Sequence, residues 1–310
     1  MESGFPYLIV AGVLEVHGFH TSLQGLWDQY QKNTDSGKGN FLLALMKTVP
    51  WHWHQEFEFC NVIKGRCRFC LPGQEVILQE GDSIFINSNC LHKAEKENNH
   101  TEVVYHTQLF RKELLEGAKD SVFKSKYIDP ILQSNLIQGI LFKRDDLKQQ
   151  KIIEVMERAY QSCLLGDAGY EMIVRNFISE LWLYLLKEYK NALHSSVNHS
   201  VPVTGRVKTM MTFIENNYMN KIGVEDIGDS ANVSKRECLR CFKLNLHMSP
   251  FSYLTDFRIR KAAQLLLRTQ DSIITISEAC GFSSNSYFGK VFHTVMGCTP
   301  KEYRQNIKEP

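Results

Sequence analysis

Residues 276–304 read ISEACGFSSNSYFGKVFHTVMGCTPKEYR, and this stretch decides the architecture of the C-terminal third. A short apolar segment, Thr275 to Cys280, runs into Gly281-Phe282-Ser283, a turn where glycine suits unusual dihedrals. Ser284 follows as an N-cap, its hydroxyl placed to accept from one of the orphan N–H groups that open any helix. Thr299-Pro300 starts the next helix, with the hydroxyl as cap and the proline at the first helical position, where its missing N–H costs nothing. Helix, tight turn and helix at this spacing predict a helix-turn-helix unit.

Outward from this stretch, the same grammar occurs fifty residues earlier. Ser284, Phe292, Thr299-Pro300 and Tyr303 are echoes of Ser234, Phe242, Ser249-Pro250 and Tyr253. The first copy has its short helix at Val224 to Ser230 and its turn at Ala231-Asn232-Val233. The second helix of each copy separates into two faces. Cys238, Phe242 and Leu246 in one, and Phe288, Phe292 and Val295 in the other, recur at helical spacing and should pack inward. Arg236, Arg240 and Lys243 lie on the outer side of the first; Asn285 opens the second, whose outer stripe holds Ser286, Gly289, Lys290 and His293. Such side chains read base edges and grip phosphates. Any surface helix has a charged stripe, but two copies with matching caps favour DNA reading over mere solvation. Charge agrees: from Pro202 onward there are 15 Lys/Arg against 10 Asp/Glu, whereas the preceding residues hold 21 against 24. A basic face is what phosphate contact requires.

The Gly-Phe turn, the Ser-Tyr-Phe helix start and the Gly-x-Thr-Pro-x-x-Tyr-Arg ending of the second copy resemble the AraC/XylS family of bacterial transcription regulators. SKRECLRCFK and SPFSYLTDFRIRKAAQLL in the first copy resemble that family's other unit. The resemblance covers about Val207 to Arg304. It implies two recognition helices joined by a rigid helix, here Phe251 to Arg268, entering successive major-groove segments. By position, Arg236, Leu239 and Arg240, then Asn285, Ser286 and Lys290, match the base-facing places, with Lys243 and His293 on the same faces. Cys238 stands where the family has Leu, and His293 replaces Lys or Arg, which makes one phosphate contact pH-dependent. The connector's 18 residues span about 27 Å, of the order of the ~34 Å between successive major-groove turns. Its inner face is expected to be Leu254, Phe257, Ala262, Leu265 and Leu266, leaving Arg258, Arg260 and Lys261 to solvent or phosphate.

The N-terminal part has another texture. Phe41–Leu45, Glu56–Ile63, Arg66–Leu71, Glu75–Leu78, Ser83–Ile86 and Thr101–Leu109 read as short strands punctuated by Gly65, Pro72-Gly73 and Gly81-Asp82. Many short strands at close spacing predict an antiparallel sandwich or barrel. Beyond Phe110, Ile131–Leu141, Ile152–Leu165 and Met172–Tyr189 carry apolar residues at helical intervals. The expected fold is therefore multidomain α+β: an antiparallel β-barrel over 1–112, which the motif given next marks as cupin-like, a helical dimerisation and connector region over 113–190, a polar linker over 191–204, and an all-α domain of two helix-turn-helix units over 205–310. On the central helices Ile173, Phe177, Leu181 and Tyr184 make an apolar stripe that fits either a homodimer contact or packing on the chain's own barrel.

His52-Trp53-His54, Glu58 and Gly65 resemble the first cupin motif, and Gly81-Asp82 with His92 resembles part of the second. Asn87, Asn89 and Lys96 depart from that second pattern. The resemblance implies a site at His52, His54, Glu58 and His92, a set of nitrogen and oxygen donors suited to Mn, Fe, Ni or Zn. Three readings stay open: a bound divalent metal, a metal-free effector pocket that includes Trp53, or packing. On a straight strand His54 and Glu58 would lie about 13 Å apart, so a bend must bring them together.

Nine scattered cysteines do not form a disulfide framework and predict reduced thiols; Cys67 and Cys70 sit on a strand, facing opposite sides. His17, His20, His100 and His106 have no evident grouping. The apolar run Tyr7–Leu14 lacks the basic leader of a signal peptide, and no run reaches the roughly 18 apolar residues of a membrane span, so a cytoplasmic protein is expected. The function expected is a DNA-binding regulator, not an enzyme, that needs no cofactor and responds to a small molecule. Family analogy implies activation, a carbohydrate effector and RNA polymerase as partners to the DNA-bound chain. The rival readings are a metal-dependent cupin enzyme fused to a DNA reader and an effector-free constitutive regulator.

Overall fold

The structure, a computed structural model, describes residues 6–14, 41–46, 48–97, 102–118, 120–134, 137–194 and 204–305. They form two compact units, which divide between Val201 and Pro202.

The first unit contains β1 (Tyr7–Leu14), β2 (Phe41–Met46), β3 (Thr48–His52), β4 (Phe57–Lys64), β5 (Cys67–Leu71), β6 (Gln74–Leu78), β7 (Ser83–Ile86), β8 (His92–Lys96), β9 (Val103–Phe110) and β10 (Gly139–Phe142). They assemble into a six-stranded sheet, β10-β7-β4-β9-β1-β2, and a four-stranded sheet, β3-β8-β5-β6. The expected closed barrel is corrected to two sheets that share an apolar core, in which Cys60, Val62, Ile84 and Tyr105 of one meet Cys67, Phe69, Leu78 and Ala94 of the other. Pairing is antiparallel except between β1 and β2, which run parallel.

β4 explains how the sheets divide their work. Alternate side chains of a strand face opposite sides. Phe57 and Phe59 accordingly join the core beneath the helices, whereas Cys60 and Val62 join the core between the sheets. Glu58 has the same parity as the second set, so the alternation alone carries its carboxylate into the inter-sheet space.

Against the outer face of the six-stranded sheet lie α1 (Glu113–Glu116), a π-helical turn (Phe123–Ile128), α2 (Asp129–Leu132), α3 (Leu147–Leu165) and α4 (Tyr170–His194). Asp146 caps α3, its carboxylate accepting from the N–H groups of Lys148 at 2.9 Å and Gln149 at 3.2 Å. One expectation is corrected here. Ile131–Leu141 is not a helix: it divides into α2 and β10, whose Leu141 pairs with Ile84 of β7. The apolar stripe on α4 is only partly used within the chain, since Ile173 is 44% exposed. Leu181 is fully buried, Tyr184 packs on the helix-facing core, and the Arg158 guanidinium covers the Phe177 ring at 4.7 Å. Helix α4 also continues through His194, so the first residues of the expected linker are helical. No helix among the described residues is long and apolar enough to cross a membrane.

The second unit is helical: α5 (Thr204–Asn217), α6 (Val224–Asp229), α7 (Lys235–Leu246), α8 (Pro250–Arg268), α9 (Ile273–Ala279), α10 (Asn285–Met296) and α11 (Pro300–Gln305). The caps read from sequence are formed. Ser234 accepts from the Glu237 N–H at 3.3 Å, Ser249 from Ser252 at 3.0 Å, and Ser284 from Tyr287 at 3.3 Å. Thr299 and Glu302 make a reciprocal capping box, the Thr299 N–H donating to Glu302 Oε2 at 2.7 Å. The two turns are not superposable in detail, because the left-handed residue is Asn232 in the first and Gly281 in the second, one position apart in the fifty-residue register. Gly281 is required twice over: its φ is +79°, and a Cβ there would sit 2.7 Å from the Tyr218 carbonyl oxygen.

Candidate functional site

Cys238, Phe242 and Leu246 of α7, and Phe288 and Phe292 of α10, are buried, which turns the opposite faces outward. Arg236, Leu239, Arg240 and Lys243, and Asn285, Ser286, Lys290 and His293, are all exposed. Leu239 is a large apolar residue left 41% exposed, a disposition suited to a thymine methyl.

Glu237 was not singled out from sequence, although its i,i+3 spacing to Arg240 is a legible signal. Arg240 donates to it through Nε at 2.8 Å and Nη2 at 2.6 Å. That hydrogen bonding pushes the Glu237 carboxyl down to about 2. Tyr287, 54% exposed on α10, is a second residue on this surface that the sequence reading omitted.

The connector α8 carries a correction. Arg258 is not phosphate-facing: its Nε donates to the Tyr218 carbonyl at 2.7 Å and its Nη2 to the Asn220 carbonyl at 2.8 Å. It therefore ties α8 to the end of α5 beside the Gly281 turn. Arg260 pairs with Asp256 at 3.1 Å, its side chain only 17% exposed, and Lys261 lies over the Phe257 ring at 5.2 Å. Tyr253, Leu254, Ile259, Ala262, Ala263 and Leu266 form the buried side of α8; the expected Phe257 and Leu265 are only partly buried.

The second site lies between the sheets. His52, His54, Glu58 and His92 each offer a ligand atom, and these atoms lie within 4.8 Å of one another. Three local features produce this. The β3–β8 register sets His52 opposite His92, after a bulge between Val49 and His52, and their ring centroids are 4.0 Å apart. β3 ends at His52 and β4 begins at Phe57, so His54 lies in the connection, not on a straight strand. The Asn89 N–H holds that connection by donating to the His54 carbonyl at 2.8 Å. This is the bend the sequence required.

Each imidazole is fixed by its other nitrogen. Nδ1 of His52 faces the Pro50 carbonyl at 2.7 Å, that of His54 the Glu56 carbonyl at 3.0 Å, and that of His92 the Cys90 carbonyl at 2.9 Å. A carbonyl oxygen only accepts, so Nδ1 carries the hydrogen in all three rings. Nε2 of His54 and of His92 then point at Glu58 Oε2, at 3.1 and 3.0 Å. Two bare lone pairs against a carboxylate repel. The arrangement is satisfied when those rings are protonated or when a cation sits among them.

Electrostatics follow the same logic. Desolvation, reinforced by His92 and His54, holds His52 well below the ordinary imidazole value. Desolvation also pulls His54 down, but the hydrogen bond and charge of Glu58 outweigh it and leave that ring raised. Burial would raise Glu58, yet His92 and His54 hold its carboxyl far below the usual range. The donor set, the locked rings and the anchored second nitrogens fit a borderline divalent cation. His52 and His54 are partly exposed while Glu58 and His92 are buried, so one side of the cluster is open to an incoming ligand.

Two further polar links leave the sheets. Arg111 Nε donates to Glu56 Oε1 at 2.7 Å, joining the connection that holds His54 to the segment entering α1. His106, for which the sequence offered no grouping, stacks on Tyr160 of α3 at 4.0 Å. Its Nδ1 lies 3.6 Å from Glu157 Oε2, ion-pair rather than hydrogen-bond distance. All nine cysteines are free thiols, and only Cys298 is not buried.

Comparison with known proteins matches both regions. The model of the AraC-like ligand binding domain covers residues 45–162, and that of a helix-turn-helix domain covers 227–306. An uncharacterized HTH-type transcriptional regulator of Bacillus subtilis (strain 168), YdeC, is 28% identical over 258 residues, covering 83% of this chain and 86% of its own length. The lactose operon transcription activator of Staphylococcus xylosus is 27% identical over 177 residues, or 57% of this chain and 61% of that protein. A solved AraC-type DNA-binding domain from Chromobacterium violaceum is 32% identical, covers 34% of this chain and 96% of that structure, and has a TM-score of 0.33.

Proposed function

The chain belongs to the AraC family of helix-turn-helix transcriptional regulators, and from that premise we propose that the occupant of the His52–His54–Glu58–His92 cluster controls how α7 and α10 engage DNA. The observation that carries this reading is the convergence of four ligand atoms within 4.8 Å. Base reading is assigned to Arg236, Leu239 and Arg240 on α7 and to Asn285, Ser286 and Lys290 on α10. Lys243 and His293 are assigned to phosphates.

The cluster's occupant is read as a divalent first-row cation held by His52, His54, Glu58 and His92. When bound, such an ion supplies a Lewis-acidic point that an oxygen ligand can complete. The protein's own part is to keep Nδ1 of each ring committed to a backbone carbonyl and to hold Glu58 ionised. The site joins strands of both sheets, since His52 and His92 come from the four-stranded one and Glu58 from the six-stranded one. An occupant therefore bears on how the sheets are held together. The Glu56–Arg111 pair offers a route from there to the helices. We read the domain as a sensor and not a catalytic centre, because the relatives are named as regulators. A hydroxyl-rich effector, such as a sugar, agrees with a relative named for the lactose operon and with Trp53 beside the cluster. Activation, contact with RNA polymerase and pairing of two copies belong to the same proposal.

Elemental analysis of protein purified without chelators tests the reading. It predicts about one Mn, Fe, Ni or Zn per chain, lost in His54→Ala and Glu58→Gln. At 100 times its dissociation constant the ion should stabilise the fold by about 2.7 kcal/mol. A metal-free chain that none of these ions stabilises contradicts it.

A further inference from the structure

Outside the inter-sheet cluster, the first unit has a hollow of about 360 Å³ between α1, the π-helical turn and α4. Leu115, Phe123, Tyr127 and Trp182 supply apolar lining, and Arg175 and Ser179 the polar contribution. A mainly apolar pocket of a few hundred Å³ with one or two polar groups has the proportions of a small-molecule site.

Three features separate it from an ordinary surface dimple. First, Phe123 is 56% exposed and Leu183, also on its wall, 67%. Single exposed apolar residues mean little, but two on one concavity mark an uncovered apolar surface. Second, one wall is a six-residue π-helical stretch, a rare conformation that is frequent at functional sites. It is held in place by Trp182, whose indole Nε1 donates to the Tyr127 carbonyl at 2.9 Å. The same ring packs edge-on against Phe57 at 4.8 Å, so the floor of the hollow is fixed to β4. Third, the one charged group lining the hollow is a cation, Arg175. Among the described residues no carboxylate pairs with Arg175, and Lys126 lies 5.2 Å from the centroid of the Tyr127 ring. Arg66 and Arg111 of this unit are paired with Glu97 and Glu56.

We propose that this hollow binds a small organic monoanion, an aromatic or branched apolar ring bearing one carboxylate or sulfonate. The apolar body lies against Phe123, Tyr127 and Trp182, and the acid group pairs with the Arg175 guanidinium. A neutral apolar ligand would leave Arg175 unused, and a polyanion such as a nucleotide would find too few donors. Such a ligand bridges the π-helical turn and α4, and gives the regulator a second input distinct from the histidine cluster.

The full chain is titrated with 1-anilinonaphthalene-8-sulfonate, which carries one negative charge, and with N-phenyl-1-naphthylamine, its uncharged counterpart. Fluorescence enhancement should show one saturable site per chain for each dye. Arg175→Met, at an exposed position that the fold does not depend on, should weaken the anionic dye at least tenfold and leave the neutral one within twofold. Ser179→Trp, which fills the hollow, should abolish both. The proposal is overturned if neither substitution changes binding of the sulfonate. Equal weakening of both dyes by Arg175→Met also overturns it. So does sedimentation showing a dimer that Ser179→Trp dissociates, because the hollow is then covered by a second copy.

Discussion

Arg240 and Glu237 form a two-pronged pair on the exposed face of α7, Nε to Oε2 at 2.8 Å and Nη2 to Oε1 at 2.6 Å. An arginine held this way is positioned before DNA arrives, and a positioned guanidinium discriminates guanine through its fork geometry. Arg240→Ala is therefore expected to lose about tenfold or more in affinity for the preferred duplex while tightening its relative affinity for substituted ones. Glu237→Gln, which keeps the shape but removes the charge, should relax preference at the same base pair. Competition binding across duplexes differing at single positions checks this; uniform weakening at every position would make Arg240 a phosphate contact.

Phe177 lies beneath the Arg158 guanidinium at 4.7 Å, between α3 and α4. Phe177→Glu should accordingly lower stability by about 2 kcal/mol through lost packing, with the oligomeric state unchanged. Denaturant unfolding together with sedimentation separates the two effects. Wild-type stability in a variant that merely dissociates would restore the stripe as an interface.

What was legible in the sequence was local. Ser234, Ser249, Ser284 and Thr299 announce helix starts because a cap acts over three residues, and the same caps appear in the structure. The members of the four-residue cluster were legible as a motif, but their convergence was not, since it depends on the β3–β8 register and on the bend at His54. Ile131–Leu141 misled because a short apolar run carries both periodicities, and pairing of Leu141 with Ile84 settled it as a strand. Arg258 looked like a phosphate ligand because nothing local shows that the Tyr218 and Asn220 carbonyls, forty and thirty-eight residues away, need its donors. His106 and Glu157 lie on different elements, which no spacing rule connects.

That pair makes stability depend on pH. His106 is the main reason the Glu157 carboxyl is held below its ordinary value. A carboxylate with a lowered folded pKa contributes stability above the unfolded value of about 4.3 and loses it as pH falls through the folded one. Glu157→Gln should cost no more than about 0.5 kcal/mol at pH 7, since the pair is partly screened by solvent, and the difference from wild type should be smaller at about pH 3. Urea unfolding at both pH values checks it, and a constant difference would refute the assignment.

Arg258 and Gly281 share one corner of the second unit, where a Cβ on Gly281 would come within 2.9 Å of Arg258 Nη2. Arg258→Ala should cost about 1–3 kcal/mol, since two carbonyls lose a charged donor. Gly281→Ala should be worse, because its left-handed backbone and two carbonyl clashes add. Thermal unfolding should rank the variants in that order; the reverse order, or wild-type stability in Arg258→Ala, would show that Arg258 is not structural.

The central claim, that the inter-sheet cluster governs DNA engagement, is tested most directly by measuring the full chain's affinity for a selected duplex by fluorescence anisotropy at fixed salt. Chelator-stripped protein is compared with protein reloaded with Mn, Fe, Ni or Zn, in wild type and in His54→Ala. At least one ion should change wild-type affinity fivefold or more and leave His54→Ala unmoved. Equal responses in both proteins, or none in wild type with any of the ions, would contradict the account.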